Sequence, residues 1–361
     1  MVLASNDQFQ VSLASSSKIG DFWYDQVFKL HWNRCRADHD THWISSEGSY
    51  LVLHPNNTTS TDAGAGAASP DGSTASDPSS TADIEPDAEP LGIILALPYA
   101  NKTGWLGFFI VDEAHRGEGG GRLLFDAALK YLESKGVTTI GLDAVQDQVG
   151  RYKKSGFEPA GTVKALERQS LSELPMVPEG SGPLAEDADA ARVLLSKTKE
   201  QLADLTGATG KSLLESDMEC TGFERRELWL RSQALLDRED SWGLAITKLD
   251  NLDELRSWIL VRDCGDGYKI GPLYATSKLH ALVLLRAVMA KIAVRDGGSE
   301  KRLSAEVWCG NPDALGVFQR MGFHTVFDFE RMWLDGKVPD AQAPGGKASR
   351  EAYAWFCAGE G

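Results

Sequence analysis

The chain has 361 residues, 42% of them hydrophobic, which is ordinary for a globular protein and more than one core usually organises, so two domains are expected. A formal net charge of -15 speaks against nucleic acid as a partner, because such binding draws on Lys and Arg gathered on one face. Cys35, Cys220, Cys264, Cys309 and Cys357 are scattered without a CxxC pair, a pattern that indicates neither a metal site nor a disulfide framework and fits a reducing compartment.

The N-terminal MVLASNDQFQ lacks a charged region followed by an apolar core, and no apolar run nears the ~18 residues that cross a bilayer. A cytoplasmic protein without membrane attachment is expected. SYLVLHP reads as a strand. From Pro55 to Pro90 the chain holds one large apolar residue, Ile84, and no Lys or Arg, so that segment cannot offset its ordering entropy and is expected to be a disordered insertion between neighbouring strands. Its seven acidic residues carry about half of the net charge, which leaves the folded parts only moderately acidic.

LGIILALPY and GWLGFFIV then read as a strand hairpin closed by ANKT. A glycine-rich stretch, VDEAHRGEGGG, leads into GRLLFDAALKYLESKG, where Leu123, Leu124, Ala127, Ala128, Tyr131 and Leu132 recur at helical spacing up to Gly136. TTIGLDAV is a strand, VGRYKKSGF a short helix ending at Gly156, and FEPAGTVKALE resumes extended structure. The order describes an α/β domain with a mixed sheet.

Between the strand ending at Val111 and the helix opening near Gly121 the residues Arg116, Gly119 and Gly121 form R-x-x-G-x-G. Backbone N–H groups at such a junction converge on an anion, the helix N-terminus adds partial positive charge, and glycine permits both the close approach and the unusual φ values. Taken by its glycines alone, the stretch also admits an exposed flexible turn. The dinucleotide spacing G-x-G-x-x-G fails because Leu124 stands where its last glycine belongs, and the nearest triphosphate-loop match, LTGATGKS, begins with Leu205 in place of glycine.

R-x-x-G-x-G at a strand-to-helix junction instead resembles the coenzyme A pyrophosphate loop of the GCN5-related N-acetyltransferase (GNAT) superfamily. Further on, Tyr152-Lys-Lys-Ser-Gly156-Phe157 resembles that superfamily's Y-x-x-x-G-F helix. The resemblance implies that Gly117, Gly119, Gly120 and Gly121, with Arg116 and Arg122, hold the pyrophosphate of acetyl-CoA, and that Phe109 and Val111 offer backbone groups to the pantetheine arm. It further implies that the strands GWLGFFIV and TTIGLDAV splay to admit the thioester, that an amine attacks directly, and that Tyr152 protonates the leaving sulfur. Asp143 on TTIGLDAV is the expected base; an aspartate accepting backbone hydrogen bonds is the competing reading of that position. His115 is expected to border the pyrophosphate.

The second half opens with a helical reading of LAEDADAARVLLSKTKEQLADL and a linker-like region around TGATGKS. SWGLAIT, RSWILVRD and GYKIGPLYA follow as strands, KLHALVLLRAVMAKIAV as a helix, LSAEVWCG as a strand and ALGVFQRMGF as a short helix, repeating the order of the first half. Phe318 stands where Tyr152 stands, and only TSK separates the strand from the long helix, so no phosphate nest is expected there. G-P-L-Y-A at Gly271 to Ala275 and N-P-x-A-x-x-x-F-x-x-x-G-F at Asn311 to Phe323 resemble tandem acetyltransferases whose carboxy-terminal half has diverged. The likeness covers roughly residues 90 to 160 and 240 to 335. Trp105, Trp229, Trp242, Trp258, Trp308 and Trp333 suit core positions more than a ligand pocket, and Asn311 suits a helix cap.

The resemblance thus implies two tandem GNAT-like α/β domains, residues 1–175 and 176–361, each a mixed central sheet flanked by helices. It implies an acetyl-CoA-dependent N-acetyltransferase without a metal, active in its first half on a small-molecule amine, as a monomer or homodimer. A coenzyme-binding sensor or scaffold without turnover and a protein N-acetyltransferase are the alternatives.

Overall fold

A computed structural model of the chain describes residues 2–15, 19–46, 49–56, 89–172, 193, 195–232, 234–251, 254–295 and 297–361. Most of the expected insertion, residues 57–88, lies outside them. In the first half β1 (Val2–Ser5) and β2 (Phe9–Leu13) precede two helices, α1 (Ile19–Lys29) and α2 (Arg36–Ser45). They are followed by β3 (Tyr50–Pro55), β4 (Gly92–Pro98), β5 (Thr103–Val111), α3 (Gly120–Ser134), β6 (Thr139–Val145), α4 (Val149–Lys154) and β7 (Phe157–Arg168). The second half runs β8 (Glu200–Asp204), α5 (Gly210–Thr221), α6 (Arg226–Leu230), β9 (Ser241–Lys248), β10 (Leu255–Cys264), β11 (Gly267–Ala275), α7 (Lys278–Ala293), β12 (Leu303–Trp308), α8 (Ala314–Arg320), β13 (His324–Leu334), α9 (Ala348–Glu351) and β14 (Ala352–Trp355).

Two expectations in the middle of the chain are corrected. Glu200–Asp204, expected as the end of a helix, is an edge strand paired antiparallel with β9 from Glu200↔Lys248 to Asp204↔Leu244. In Glu200–Asp204 the tertiary partner overrides a helical propensity that is weak over so few residues. The linker-like TGATGKS is a single tight turn over Leu205–Gly207 that runs into the start of α5, where the Thr209 side chain accepts a hydrogen bond from Ser212 N–H and caps the helix.

All strands join one mixed sheet in the order β1-β2-β3-β4-β5-β6-β13-β7-β12-β14-β11-β10-β9-β8. The centre of that order is an exchange. β13 of the second half pairs antiparallel with β6 of the first, and β7 of the first half pairs antiparallel with β12 of the second. Each half therefore extends its sheet with a strand of the other, β13 beside β6 and β7 beside β12. Four apolar clusters cover the two faces: α3 packs Leu124, Phe125, Ala128 and Leu132 on the first half while α1 packs Trp23 and Val27 behind it. α7 packs Leu284, Leu285 and Val288 on the second half, with α5 and α6 opposite. The helical spacing of these residues puts each set on one face, and burying such side chains is worth about 1.5–3 kcal/mol apiece. Among the described residues no helix is long and apolar enough to cross a membrane.

The two halves differ where their parallel strands part. β5 and β6 pair from Thr103↔Thr139 only as far as Leu106↔Leu142, although both strands continue. β11 and β12 likewise pair from Tyr268↔Leu303 to Ile270↔Ala305 and then separate. Into the second opening the chain inserts its own β14, which pairs with Leu273 and Tyr274 on one side and Glu306 and Val307 on the other. Asn311, expected as a helix cap, also serves this plug: Nδ2 donates to the Ala352 carbonyl, and Oδ1 accepts from the N–H of Asp313, which stands at the N-cap position of α8 without a side-chain cap bond. Beyond β14 the chain crosses to the first half, where Gly359 lies against Gly107 and Phe108 so closely that a β-carbon at Gly107 or Gly359 has no room. The opening between β5 and β6 stays open.

Candidate active site

β5 is bulged at that opening. Ile93 pairs with Ile110 and Leu95 with Gly107, which leaves Phe108 and Phe109 opposite Ile94 alone, and Phe108 takes a φ of 45°. A bulge turns backbone groups out of the ladder, and a large side chain in the left-handed region is retained only where its surroundings over-determine it. Beyond Leu106 the β5 edge facing β6 has no strand partner among the described residues, so its N–H and C=O groups face the opening.

At the end of β5 the chain makes a single tight turn over Glu113–His115, then Gly117 and Gly119 adopt φ of 88° and 93°. Apart from the adjoining chain, no atom lies within 4 Å of where a β-carbon would stand at either glycine, so this glycine cradle borders open space. Gly119 begins α3 without a side-chain cap, and no acidic residue occupies the first turn, which leaves the first N–H groups of a four-turn helix available to an anion. Gly120 packs on Leu53 and Gly121 on Val111, positions whose lack of a side chain lets the helix end sit on the sheet. Arg116 donates from Nε to the Val111 carbonyl at 3.0 Å, tying the loop to the strand, while Arg122 is paired with Asp126 at 2.7 Å on the exposed face. His115 sits 3.4 Å from Glu118 at the loop's edge.

A cavity of about 430 Å³ runs from this loop through the opening and on beneath β7, β12 and β13. It collects most of the expected residues: Phe109, Val111, Arg116, Gly117, Gly121, Asp143 and Tyr152 all line it, whereas Gly119, Gly120 and Arg122 stand around the helix start. Tyr152, on α4, packs against Phe125 at 5.5 Å and Phe157 at 6.2 Å between ring centres. Burial pushes its phenol up to about 12, so it keeps its proton at neutral pH. The equivalent Phe318 on α8 is fully buried against Phe323.

Asp143 lines the cavity with both carboxylate oxygens engaged: Arg331 of β13 donates to them from Nε and Nη2 at 2.8 and 2.7 Å, and both side chains are 0% exposed. Burial raises the Asp143 carboxyl, and the Arg331 guanidinium offsets that shift only in part. The guanidinium is in turn within 4.8 Å of the Trp105 and Trp355 rings. Trp105, Trp229, Trp258, Trp308 and Trp333 are core residues; Trp32, between α1 and α2, is the tryptophan on the cavity wall.

Sequence reasoning missed the cavity's inner end. Arg34, from the loop after α1, donates to Glu306 of β12 at 3.0 Å, Lys269 of β11 binds the same carboxylate oxygen, and Ala358 N–H binds the other. Burial alone would raise the Glu306 carboxyl, but Lys269 and Arg34 outweigh it and bring it down to about 2. Lys269 in GYKIGPLYA and Glu306 in LSAEVWCG are single charges inside otherwise apolar strands, and that anomaly was the readable signal. Over this end the Asn33 side chain clasps Asp266 of the β10–β11 turn through both its amide atoms at 2.8 Å, so the α1–α2 loop closes the cavity against the second half.

Both halves of the chain match a known family. Residues 23–157 match the acetyltransferase (GNAT) family, and residues 213–343 match an acetyltransferase (GNAT) domain. A holothin acyltransferase of Pseudoalteromonas sp. (strain SANK 73390) is 23% identical over 257 residues, 70% of this chain and 74% of that protein. A putative acetyltransferase from Pyrococcus horikoshii aligns over 99% of this chain and 98% of its own, with a TM-score of 0.66 at 18% identity. A tandem GNAT protein from the clavulanic acid biosynthesis pathway aligns over 92% and 99%, with a TM-score of 0.56 at 14% identity. At such identities these two structures speak for the fold alone.

Proposed function

The chain belongs to the GNAT acetyltransferase family through two domains in tandem, and from that premise we propose that its first half transfers an acetyl group from acetyl-CoA to the primary amine of a small molecule. The observation that carries the reading is the asymmetry of the two strand openings: the one beside the glycine cradle is a cavity, and the other is filled by β14. Acetyl-CoA supplies the activated acyl carbon. Gly117, Gly119 and the start of α3 hold its pyrophosphate, and the free edge of β5 at Phe109 and Val111 pairs with the pantetheine arm. The bulge at Phe108 aims main-chain N–H toward the thioester carbonyl, where developing negative charge is worth most in a site shielded from water.

Tyr152 is the general acid in this reading. Its raised pKa suits a group that must be protonated until the thiolate departs, and it lines the same cavity as the bulge. Asp143 we assign to positioning: with both oxygens held by Arg331 it keeps the β6 wall in place, and the amine releases its proton to solvent. A small acceptor is favoured over a protein because the α1–α2 loop is clasped to the second half by Asn33 and Asp266. Incubation with acetyl-CoA and an amine panel, following free thiol and the mass of the product, tests the proposal. Binding of acetyl-CoA without thiol release on any amine would favour a sensor instead.

A further inference from the structure

The inner end of the cavity carries more positive charge and more unused hydrogen-bond donors than its own structure requires. Arg34 is 8% exposed and uses only Nη2, which goes to Glu306; its buried Nε and Nη1 have no partner. Arg262 also leaves its Nε unmet but uses both terminal nitrogens, on Asp38 and the Phe356 carbonyl, and two further buried arginines are fully engaged. Arg331 engages Nε, Nη1 and Nη2 with Asp143 and Gln342, and Arg225 engages the same three atoms with Asp217 and the backbone of residues 360 and 361. A guanidinium left with open donors in a buried place costs free energy unless a ligand meets it.

No neighbouring acceptor meets these donors: Glu167, opposite Ser304 in the β7–β12 register and on the same cavity, is paired with Arg302 instead. Both oxygens of Glu306 are occupied, one by Arg34 and Lys269 together and the other by Ala358 N–H. Two cations therefore face one carboxylate. The next buried acid, Asp38, already meets Arg238 and Arg262. Ser304 adds a further donor: its buried hydroxyl has no partner, and it lines the cavity on the same face of β12 as Glu306, directly opposite Lys269 in the β11–β12 register. Arg34, Lys269 and Ser304 come from three elements and meet on one wall.

We infer that Arg34, with Ser304 and Lys269 beside it, binds a carboxylate of the acceptor, so that the acceptor is an amine that also carries a carboxylate, of the amino-acid or short-peptide class. This rests on the acyltransferase reading of the cavity. The spacing suits it: Ala358 binds Glu306 and the next residue, Gly359, touches Gly107 and Phe108, so the cationic wall and the β5 bulge lie within roughly 10 Å of each other along the chain. An acetyl group held at the bulge is too short to reach that wall, whereas an acceptor whose amine stands at the bulge reaches it with its other end. An arginine presents a planar fork that matches a carboxylate, and a buried charge-assisted pair discriminates strongly against a ligand that leaves it unmet.

The test uses the full chain and matched pairs that differ by the carboxylate: lysine against cadaverine, 5-aminopentanoate against pentylamine, glycine against methylamine. Initial rates with acetyl-CoA and the shift of the thermal midpoint of the coenzyme A-loaded protein are both read. The expected result is that the carboxylate member of at least one pair is favoured at least tenfold in kcat/KM or in Kd. Arg34→Gln should remove that margin through KM while leaving the Kd for acetyl-CoA within twofold, and Ser304→Ala should reduce it. No preference in any pair, or a preference that survives in Arg34→Gln, overturns the inference; if Arg34→Gln does not fold, the wild-type pairs and Ser304→Ala decide. Absence of acetyl-CoA binding would count against the acyltransferase reading itself, and the carboxylate preference would then stand or fall on the midpoint shifts of the unloaded protein.

Discussion

Arg331 and Asp143 form a two-pronged ion pair across the joint between the halves, with nitrogen to oxygen distances of 2.8 and 2.7 Å and no exposure of either side chain. The pair links the exchanged strand β13 to β6, the strand that walls the active-site opening. Packing of the two halves and the shape of the site are therefore one problem. Removing one partner leaves the other charged and buried, which costs about 3–5 kcal/mol. Asp143→Asn and Arg331→Met should each show that loss in denaturant unfolding, and the double variant Asp143→Leu with Arg331→Met should recover much of it. Additive losses would mean that the two residues act separately.

The same pairing predicts what Asp143 does not do. In the folded fraction of Asp143→Asn, the pH profile of kcat/KM should keep its acid limb, because Arg331 holds both carboxylate oxygens and neither is left to take the amine's proton. Loss of that limb would restore Asp143 as the base.

Tyr152→Phe should lower kcat by about 10²-fold and leave acetyl-CoA affinity unchanged. Burial holds the phenol near 12, so in the wild type the acid form persists through neutral and mildly alkaline pH. An alkaline limb below pH 9 that disappears in Tyr152→Phe would contradict that environment.

These residues differ in how far they could be read ahead of the structure. The glycine cradle and Tyr152 lie on local strand-to-helix junctions, where spacing and turn chemistry determine conformation over a dozen residues. The strand exchange is a matter of pairing between positions such as Arg331 and Asp143, 188 residues apart, which periodicity along the chain does not report. Lys269 and Glu306 were visible as charges in apolar strands, but nothing local says that Arg34 meets them. Glu200–Asp204 was misread because a short segment with helical composition takes its conformation from its neighbour β9.

Glu306 gives a prediction in pH. Burial opposes its charge, but Lys269 and Arg34 win and depress its pKa from 4.5 to about 2. A depressed carboxyl contributes stability that is present above its unfolded pKa and lost as pH falls through the folded one. The window runs from about pH 4.5 down to about 2, and the contribution is on the order of 3 kcal/mol. Glu306→Gln should be less stable at neutral pH, with the difference from wild type narrowing across that window. A difference that is constant with pH would show that the group does not titrate as its surroundings indicate.

Isothermal titration of acetyl-CoA into the intact chain tests the central claim most directly. One site per chain of micromolar order is predicted, weakened at least tenfold by Gly119→Asp in the cradle where φ is 93°, and untouched by Phe318→Leu in the plugged half. No binding, two equivalent sites, or full affinity in Gly119→Asp would contradict it.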